Sequence, residues 1–199
     1  CVNGTEEQKK RFIPSLLSAN KTAFLAITEP NVGSDTSGVE TRADLKCDHY
    51  LLNGTKMWVT NGSTADIGIV FASTDKSKGP KGITAFIVDK EETSYSAKDI
   101  EKMFGHAMIA SELVFEDARV PKDNMFGPEG KGLKIALTTL NEGRHNVAMG
   151  SVGIAQACID ASVKYAKERK QLGKAIGSFQ LFQKLIVEMV ADTMASRLL

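Results

Sequence analysis

The chain has 199 residues, 42% of them hydrophobic and 25% charged, and a formal net charge of +1. Its length allows a sizeable core in one large or two small domains, and its near-neutral charge gives no reason to expect nucleic acid or an acidic surface as partner. Cys1, Cys47 and Cys158 are odd in number and far apart, and His49 beside Cys47 has no second ligand pair, so neither a disulfide framework nor a metal site is indicated.

A reducing compartment is therefore expected. No apolar run reaches membrane-spanning length and no signal-peptide pattern appears, which predicts a soluble intracellular protein. The first element is a helix: Thr5-Glu6-Glu7-Gln8 fits a capping box, Phe12 and Leu16 share a face, and Pro14 limits the helix before Ser18-Ala19-Asn20. From about Ala23 the period changes to two. Tyr50-Leu51-Leu52, Asn53-Gly54 and Thr55 to Val59 read as a hairpin, because Asn-Gly favours the positive φ angles of a type I′ turn. Further strands are predicted at 67–71, 83–88 and 113–115, with the polar loop Asp75 to Lys81 between the first two. Several short antiparallel strands of this kind indicate a barrel or sandwich.

After Pro128 the period becomes helical, with Leu133, Leu137, Leu140 and Val147 on one face, until a loop after Arg169-Lys170 that holds Gly173 and Gly177. Ser178 is placed to cap a second helix whose face carries Phe182, Leu185, Ile186, Met189, Val190 and Met194. The pattern stops at Leu199 without cap, glycine or polar tail, which predicts a fragment of a longer helical assembly.

Two runs carry recognisable chemistry. Thr28-Glu29-Pro30-Asn31-Val32-Gly33-Ser34-Asp35 is a Pro-and-Gly turn between apolar residues, which brings backbone N–H groups and small hydroxyls close to a ligand. Met57-Trp58-Val59-Thr60-Asn61-Gly62 puts an aromatic and a hydroxyl two residues apart on one strand face, which suits a flat heteroaromatic ring. A third run, Glu168-Arg169-Lys170-Gln171-Leu172-Gly173-Lys174 with Phe179-Gln180, follows near the C-terminus.

In order and spacing the three runs resemble the signatures of the acyl-CoA dehydrogenase family, over nearly the whole chain. The resemblance implies an α+β architecture: residues 1–20 as the end of an N-terminal helical domain, 21–127 as an antiparallel β-barrel, and 128–199 as the first half of a C-terminal four-helix bundle. It implies noncovalent FAD contacted by Leu25, Ile27, Thr28, Gly33, Ser34, Trp58, Val59 and Thr60, with Trp58 flanking the isoalloxazine and the Thr60 hydroxyl near N5. Arg169, Gln171, Phe179 and Gln180 match residues that reach the FAD of a neighbouring subunit. Ser34, Asn141 and Arg144 match positions that meet the CoA portion of the substrate, the family often having aspartate in place of Asn141.

The implied reaction is removal of an α-proton of an acyl-CoA by a glutamate and transfer of a β-hydride to the flavin, leaving a trans-2,3-enoyl-CoA. Electrons then pass to electron-transferring flavoprotein. A homotetramer in the bacterial cytoplasm or the mitochondrial matrix is implied as well. Alternatives are an acyl-CoA oxidase and a non-catalytic flavin- or CoA-binding homologue. The chain departs from the family in two places. Where the family has an arginine and a Ser-x-Thr segment before the strand at Leu113-Val114-Phe115, this chain reads Phe104 to Glu112, which includes His106, here a plain loop histidine. Glu29-Pro30-Asn31 and Val39 to Ala43 resemble the glutaryl-CoA branch, which admits a carboxylated substrate without fixing the acyl group. No catalytic residue is assigned: one family position for the base is Gly143 here, Glu142 points about 100° round the helix from it, and the main-branch base is expected beyond Leu199. Residues 1–199 alone are accordingly expected to be inactive.

Overall fold

The computed structural model describes residues 3–103 and 107–199. The expectations for Cys1, Phe104, Gly105 and His106 concern residues outside these. The chain forms two compact units that divide between Thr138 and Thr139.

The first unit opens with helix α1, Glu6–Leu17, started by the expected capping box. The Thr5 hydroxyl accepts from the Gln8 N–H at 3.2 Å, and Gln8 Oε1 accepts from the Thr5 N–H at 3.1 Å. Gln8 Nε2 then donates to the carbonyls of Asp123 and Met125, so the cap residue also anchors the helix to a distant segment. Phe12 is buried with Ile67 and Ile87. The helix ends before Ser18-Ala19-Asn20 as expected, but it is not Pro14 that stops it. The helix passes through it to Leu17, because the bond lost to the proline ring is the one to the carbonyl of Lys10, a residue exposed to water.

Eight strands follow: β1 Ala23–Ala26, β2 Arg42–Leu45, β3 His49–Thr60, β4 Ile67–Ser73, β5 Ile83–Asp89, β6 Ser96–Asp99, β7 Ala110–Pro121 and β8 Met125–Phe126. They pair in one sheet in the order β6-β7-β3-β2-β4-β5-β8, with β1 also on β4. The expected antiparallel barrel needs two corrections. β1 and β2 both pair with β4 in parallel; β5 covers one edge of β4 over its whole length, so these two share the other edge. The sheet is not closed among the described residues: its terminal members are β6, four exposed residues, and β8, only two residues long, neither able to carry a long closing ladder.

The sheet core holds Phe24, Tyr50, Leu52, Phe86, Leu113 and Phe115, and a second cluster packs Phe71 and Ile83 against Ile135 and Ala136. Ile135 and Ala136 belong to helix α2, Gly132–Glu168. Of the expected apolar face, Leu133 packs against this cluster and Leu140 is half-buried, whereas Leu137 and Val147 are exposed.

In the second unit, β9 Lys170–Gln171 and β10 Lys174–Ala175 form a short hairpin around Leu172 and Gly173, both at positive φ, where a loop was expected. Helix α3 spans Gln180–Leu198. Ser178 does not cap it; its hydroxyl donates to the Ala175 carbonyl at 2.7 Å, inside the turn that precedes the helix. Ile186, Met189 and Val190 of the predicted face are half-buried, whereas Phe182, Leu185 and Met194 are exposed. Among the described residues no helix is long and apolar enough to cross a membrane.

Candidate functional site

β1 alternates, with Phe24 and Ala26 in the core and Leu25 on the other face among Phe71 and Ile83. The chain then leaves the strand through a tight turn. Glu29 and Val32 exchange N–H···O bonds of 2.9 and 3.1 Å around Pro30-Asn31, proline and asparagine sitting where a turn favours them. Glu29 and Val32 are buried, and Gly33 and Ser34 emerge exposed directly after them. Thr28 is half-buried, and its carbonyl accepts the Met57 N–H at 2.8 Å. That bond joins the first motif run to the second.

β3 carries the second run, and its geometry corrects the expected hairpin. Asn53-Gly54 is no turn; β3 continues through it, paired with β2 on one side and β7 on the other. Opposite Asn53 the ladder gains one residue on β7, where Asp117 has φ 45°. The Asn53 amide bridges this bulge, donating to Asp117 Oδ1 at 3.0 Å and accepting the Asp117 N–H at 2.8 Å.

A second bulge lies on β3 itself, between Lys56 and Val59, and its extra residue includes Trp58 at φ 58°. Left-handed backbone is uncommon for a bulky side chain and costs on the order of 1–3 kcal/mol, so surrounding structure must hold it. Its effect is plain. Tyr50, Leu52 and Lys56 are buried at even positions; uninterrupted alternation would bury Trp58 and Thr60 too. The inserted residue reverses the parity, so Val59 is buried while Trp58, 56% exposed, and Thr60 face solvent.

The charged pair behind this bulge is a feature that reading the motifs had missed. Lys56 and Glu29 are both buried, and Lys56 Nζ donates to Glu29 Oε1 at 2.7 Å and to the Ile27 carbonyl at 3.2 Å. Glu29 Oε1 also accepts the Thr41 N–H and hydroxyl, and Oε2 accepts the Glu40 N–H at 2.6 Å. A signal was available: Lys56 falls on the inward positions of the alternation that begins at Tyr50. Burial works to raise the Glu29 pKa, but the Lys56 charge and its hydrogen bond, with the Thr41 and Glu40 donors, bring it below its ordinary 4.5. Burial pushes Lys56 down to about 8, against the pull of Glu29. Both directions leave the pair ionised at pH 7.

Because the Glu29 pKa is depressed by folding, its contribution to stability is complete above 4.5 and is lost as pH falls through the folded value. Urea midpoints measured from pH 7 down to pH 3 are expected to drop more steeply in the native protein than in Glu29→Gln; parallel curves would show that this carboxylate carries no such linkage.

In the second unit, Asn141 and Arg144 sit one helical turn apart and exposed on α2, and Arg144 Nη1 donates to Asn141 Oδ1 at 2.7 Å. Gly143 between them is open, with no atom within 4 Å of a Cβ built there. Gln171, Phe179 and Gln180 line a cleft of about 730 Å³ together with Lys174, Ile176 and Leu181. Lys174, unassigned from sequence, lies 4.5 Å from the Phe179 ring centroid as a cation over an aromatic face. Arg169 is exposed at the head of the hairpin, its carbonyl accepting the Ile176 N–H. The predicted residues thus gather in two groups, one within each unit. Among the described residues no cluster of His, Cys, Asp and Glu could hold a metal ion.

Comparison with known proteins matches residues 24–118 to the model of the acyl-CoA dehydrogenase middle domain and residues 130–199 to that of the acyl-CoA dehydrogenase C-terminal domain. The glutaryl-CoA dehydrogenase of Desulfococcus multivorans is 42% identical over 98% of this chain and 51% of its own length. The caffeyl-CoA reductase-Etf complex subunit CarC of Acetobacterium woodii is 42% identical over 100% of this chain and 52% of its own. Among solved structures, the glutaryl-coenzyme A dehydrogenase complex with glutaryl-CoA superposes with a TM-score of 0.94 at 41% identity, over 99% of this chain and 50% of that one. A Mycobacterium smegmatis glutaryl-CoA dehydrogenase in complex with FADH2 gives 0.89 at 32%, over 98% and 50%. The chain spans about half the length of the relatives it matches.

Proposed function

The chain belongs to the acyl-CoA dehydrogenase family, and from that premise we propose that it forms the flavin- and CoA-contacting portion of an enzyme that desaturates an acyl-CoA thioester between its α and β carbons. The observation that carries this reading is the bulge of β3, which turns Trp58 and Thr60 outward and is bonded through Met57 to the turn bearing Thr28, Gly33 and Ser34. An exposed aromatic, a hydroxyl donor and an open glycine turn are the groups that a flat ring with polar edges requires.

FAD bound there would accept the hydride that leaves the β carbon. Leu25 and Ile27 supply the apolar backing, Trp58 a ring face, Val59 its backbone alone, since its side chain lies in the core, and Thr28, Ser34 and Thr60 the hydroxyl donors; Thr60 is the donor assigned to the ring edge where negative charge develops. Arg169, Gln171, Phe179 and Gln180 are assigned to the FAD of a second copy in a homotetramer, and the lining of the cleft beside the hairpin supports a ligand role for the last three. Asn141 and Arg144 are assigned to the CoA portion, where a guanidinium held by its neighbour presents donors to phosphate. No residue of this chain is assigned the role of base. Electrons pass to electron-transferring flavoprotein in the cytoplasm or mitochondrial matrix, a reading supported by the CarC subunit of an Etf complex among the relatives. The glutaryl-CoA relatives support a carboxylated acyl group as the first substrate to try.

Anaerobic bleaching of the flavin by a panel of short, branched and carboxylated acyl-CoAs, using the FAD-loaded protein that carries this chain, tests the reading. One acyl-CoA is expected to bleach it, and reoxidation is expected with electron-transferring flavoprotein and not with O₂ alone. Thr60→Val keeps the β-branched shape and deletes the donor. It is expected to leave FAD retention near native while slowing reduction by about two- to tenfold, the worth of one net hydrogen bond. An unchanged rate would remove Thr60 from the site.

A further inference from the structure

The Lys56–Glu29 pair lies next to both candidate flavin runs without belonging to either set of contacts. Glu29 directly follows Thr28, and Lys56 directly precedes the Met57-Trp58 bulge. Between the two runs there are three bonds: Lys56 Nζ to Glu29 Oε1, Lys56 Nζ to the Ile27 carbonyl, and Met57 N–H to the Thr28 carbonyl. The Thr41 and Glu40 donors hold the carboxylate from its far side, so the acceptor itself is fixed.

A buried ion pair is a poor way to gain stability, since desolvation consumes most of its attraction and well-packed apolar residues do as well. What it supplies is direction. An apolar contact between turn and strand would tolerate a slide of one residue, but an ammonium donating to one carboxylate oxygen and one carbonyl admits a single register. In that register Trp58 is left-handed and Val59, not Trp58, is in the core.

We propose that Lys56 and Glu29 are positioning residues of the flavin site: they lock the turn at 28–34 to the bulge at 57–60, so that Thr28, Trp58 and Thr60 address one ring. This rests on the functional reading above. Beyond that reading, it assigns a role to two residues that touch no ligand in it.

The test compares the native protein, Glu29→Gln with Lys56→Met together, and Glu29→Gln alone as a second variant that keeps side-chain length and a carbonyl acceptor for Lys56. Trp58 is the single tryptophan of the 199 residues, so with any tryptophan elsewhere in the protein replaced by phenylalanine its emission and acrylamide quenching report the bulge without any cofactor. In the cofactor-free double variant the quenching constant is expected to change while thermal unfolding stays cooperative. After addition of FAD, affinity is expected to fall by about tenfold and the visible circular dichroism of the flavin to change. Glu29→Gln alone is expected to move both signals in the same direction by less, and it decides the matter if the double variant does not fold. Either variant, folded and with native Trp58 quenching, FAD affinity and flavin dichroism, would overturn the positioning role alone. If the native protein takes up no FAD, the functional reading fails first and the positioning role falls with it.

Discussion

Lys56→Met on its own is expected to lower the stability of the first unit by about 3–5 kcal/mol, the cost of leaving one member of a buried ion pair without its partner. The carboxylate of Glu29 would keep the Thr41 and Glu40 donors but lose the ammonium bonded to it, inside a region where both side chains are almost fully shielded from water. The nearly equal length of methionine limits any cavity, so the loss reads on charge and not on packing. Urea unfolding monitored by Trp58 fluorescence measures it. Adding Glu29→Gln to the same protein is expected to recover most of the loss, because the uncompensated charge is then gone and the amide oxygen still accepts from Thr41. A single-variant loss below about 1 kcal/mol would mean that the backbone and hydroxyl donors satisfy Glu29 by themselves.

Pattern alone revealed much of the fold where the determining interactions are local. The capping box at Thr5 and Gln8 is a three-residue affair and is present as read. The strands at 67–71 and 83–88 were legible because they are short apolar runs rich in β-branched residues with turn residues between them, and both strands extend by only one or two residues beyond the expected limits. Where interactions are long-range, local signals misled. Asn53-Gly54 carries the strongest short-range turn signal in the chain, yet its outcome was decided by Asp117, which the asparagine grips across 64 residues of sequence. The parallel pairing of β1 with β4 joins residues 44 apart and leaves no trace in either strand's pattern.

The site divides the same way. Arg144 and Asn141 meet because helix geometry puts residues three apart on one side, and this is visible from spacing. Trp58 and Thr60 were read as sharing one strand face by simple alternation. They are exposed, but through a bulge that reverses the alternation, since Tyr50, Leu52 and Lys56 show the inward parity to be even. The ion pair was legible in principle, as a lysine at an inward position demands a counter-charge, yet nothing local identifies Glu29 as that charge.

Gly54→Val is expected to be as damaging as the loss of Lys56 in the strand that carries the site. A Cβ at this position would lie 2.7 Å from the Cα of Thr41 and 2.6 Å from its hydroxyl oxygen, and the φ of +149° belongs to a region that side chains rarely adopt. Conformational strain of about 1–3 kcal/mol adds to an overpacking cost of about 1–3 kcal/mol. The backbone of Thr41 cannot yield without consequence, since its N–H and hydroxyl hold Glu29 and its carbonyl accepts the Ser73 N–H. The strain would therefore pass directly to the Glu29–Lys56 pair and from there to the bulge at Trp58. The expected result is a loss of about 2–6 kcal/mol in urea unfolding, accompanied by a shift in Trp58 emission under conditions where the variant is still folded. Asn53→Ala, which removes the bridge to Asp117 on the other side of the strand, is expected to cost only about 1–3 kcal/mol and to leave Trp58 emission unchanged. Equal losses from the two substitutions, with no change in emission from either, would mean that β3 feels both edges alike and that the contact between Gly54 and Thr41 does not reach the candidate site.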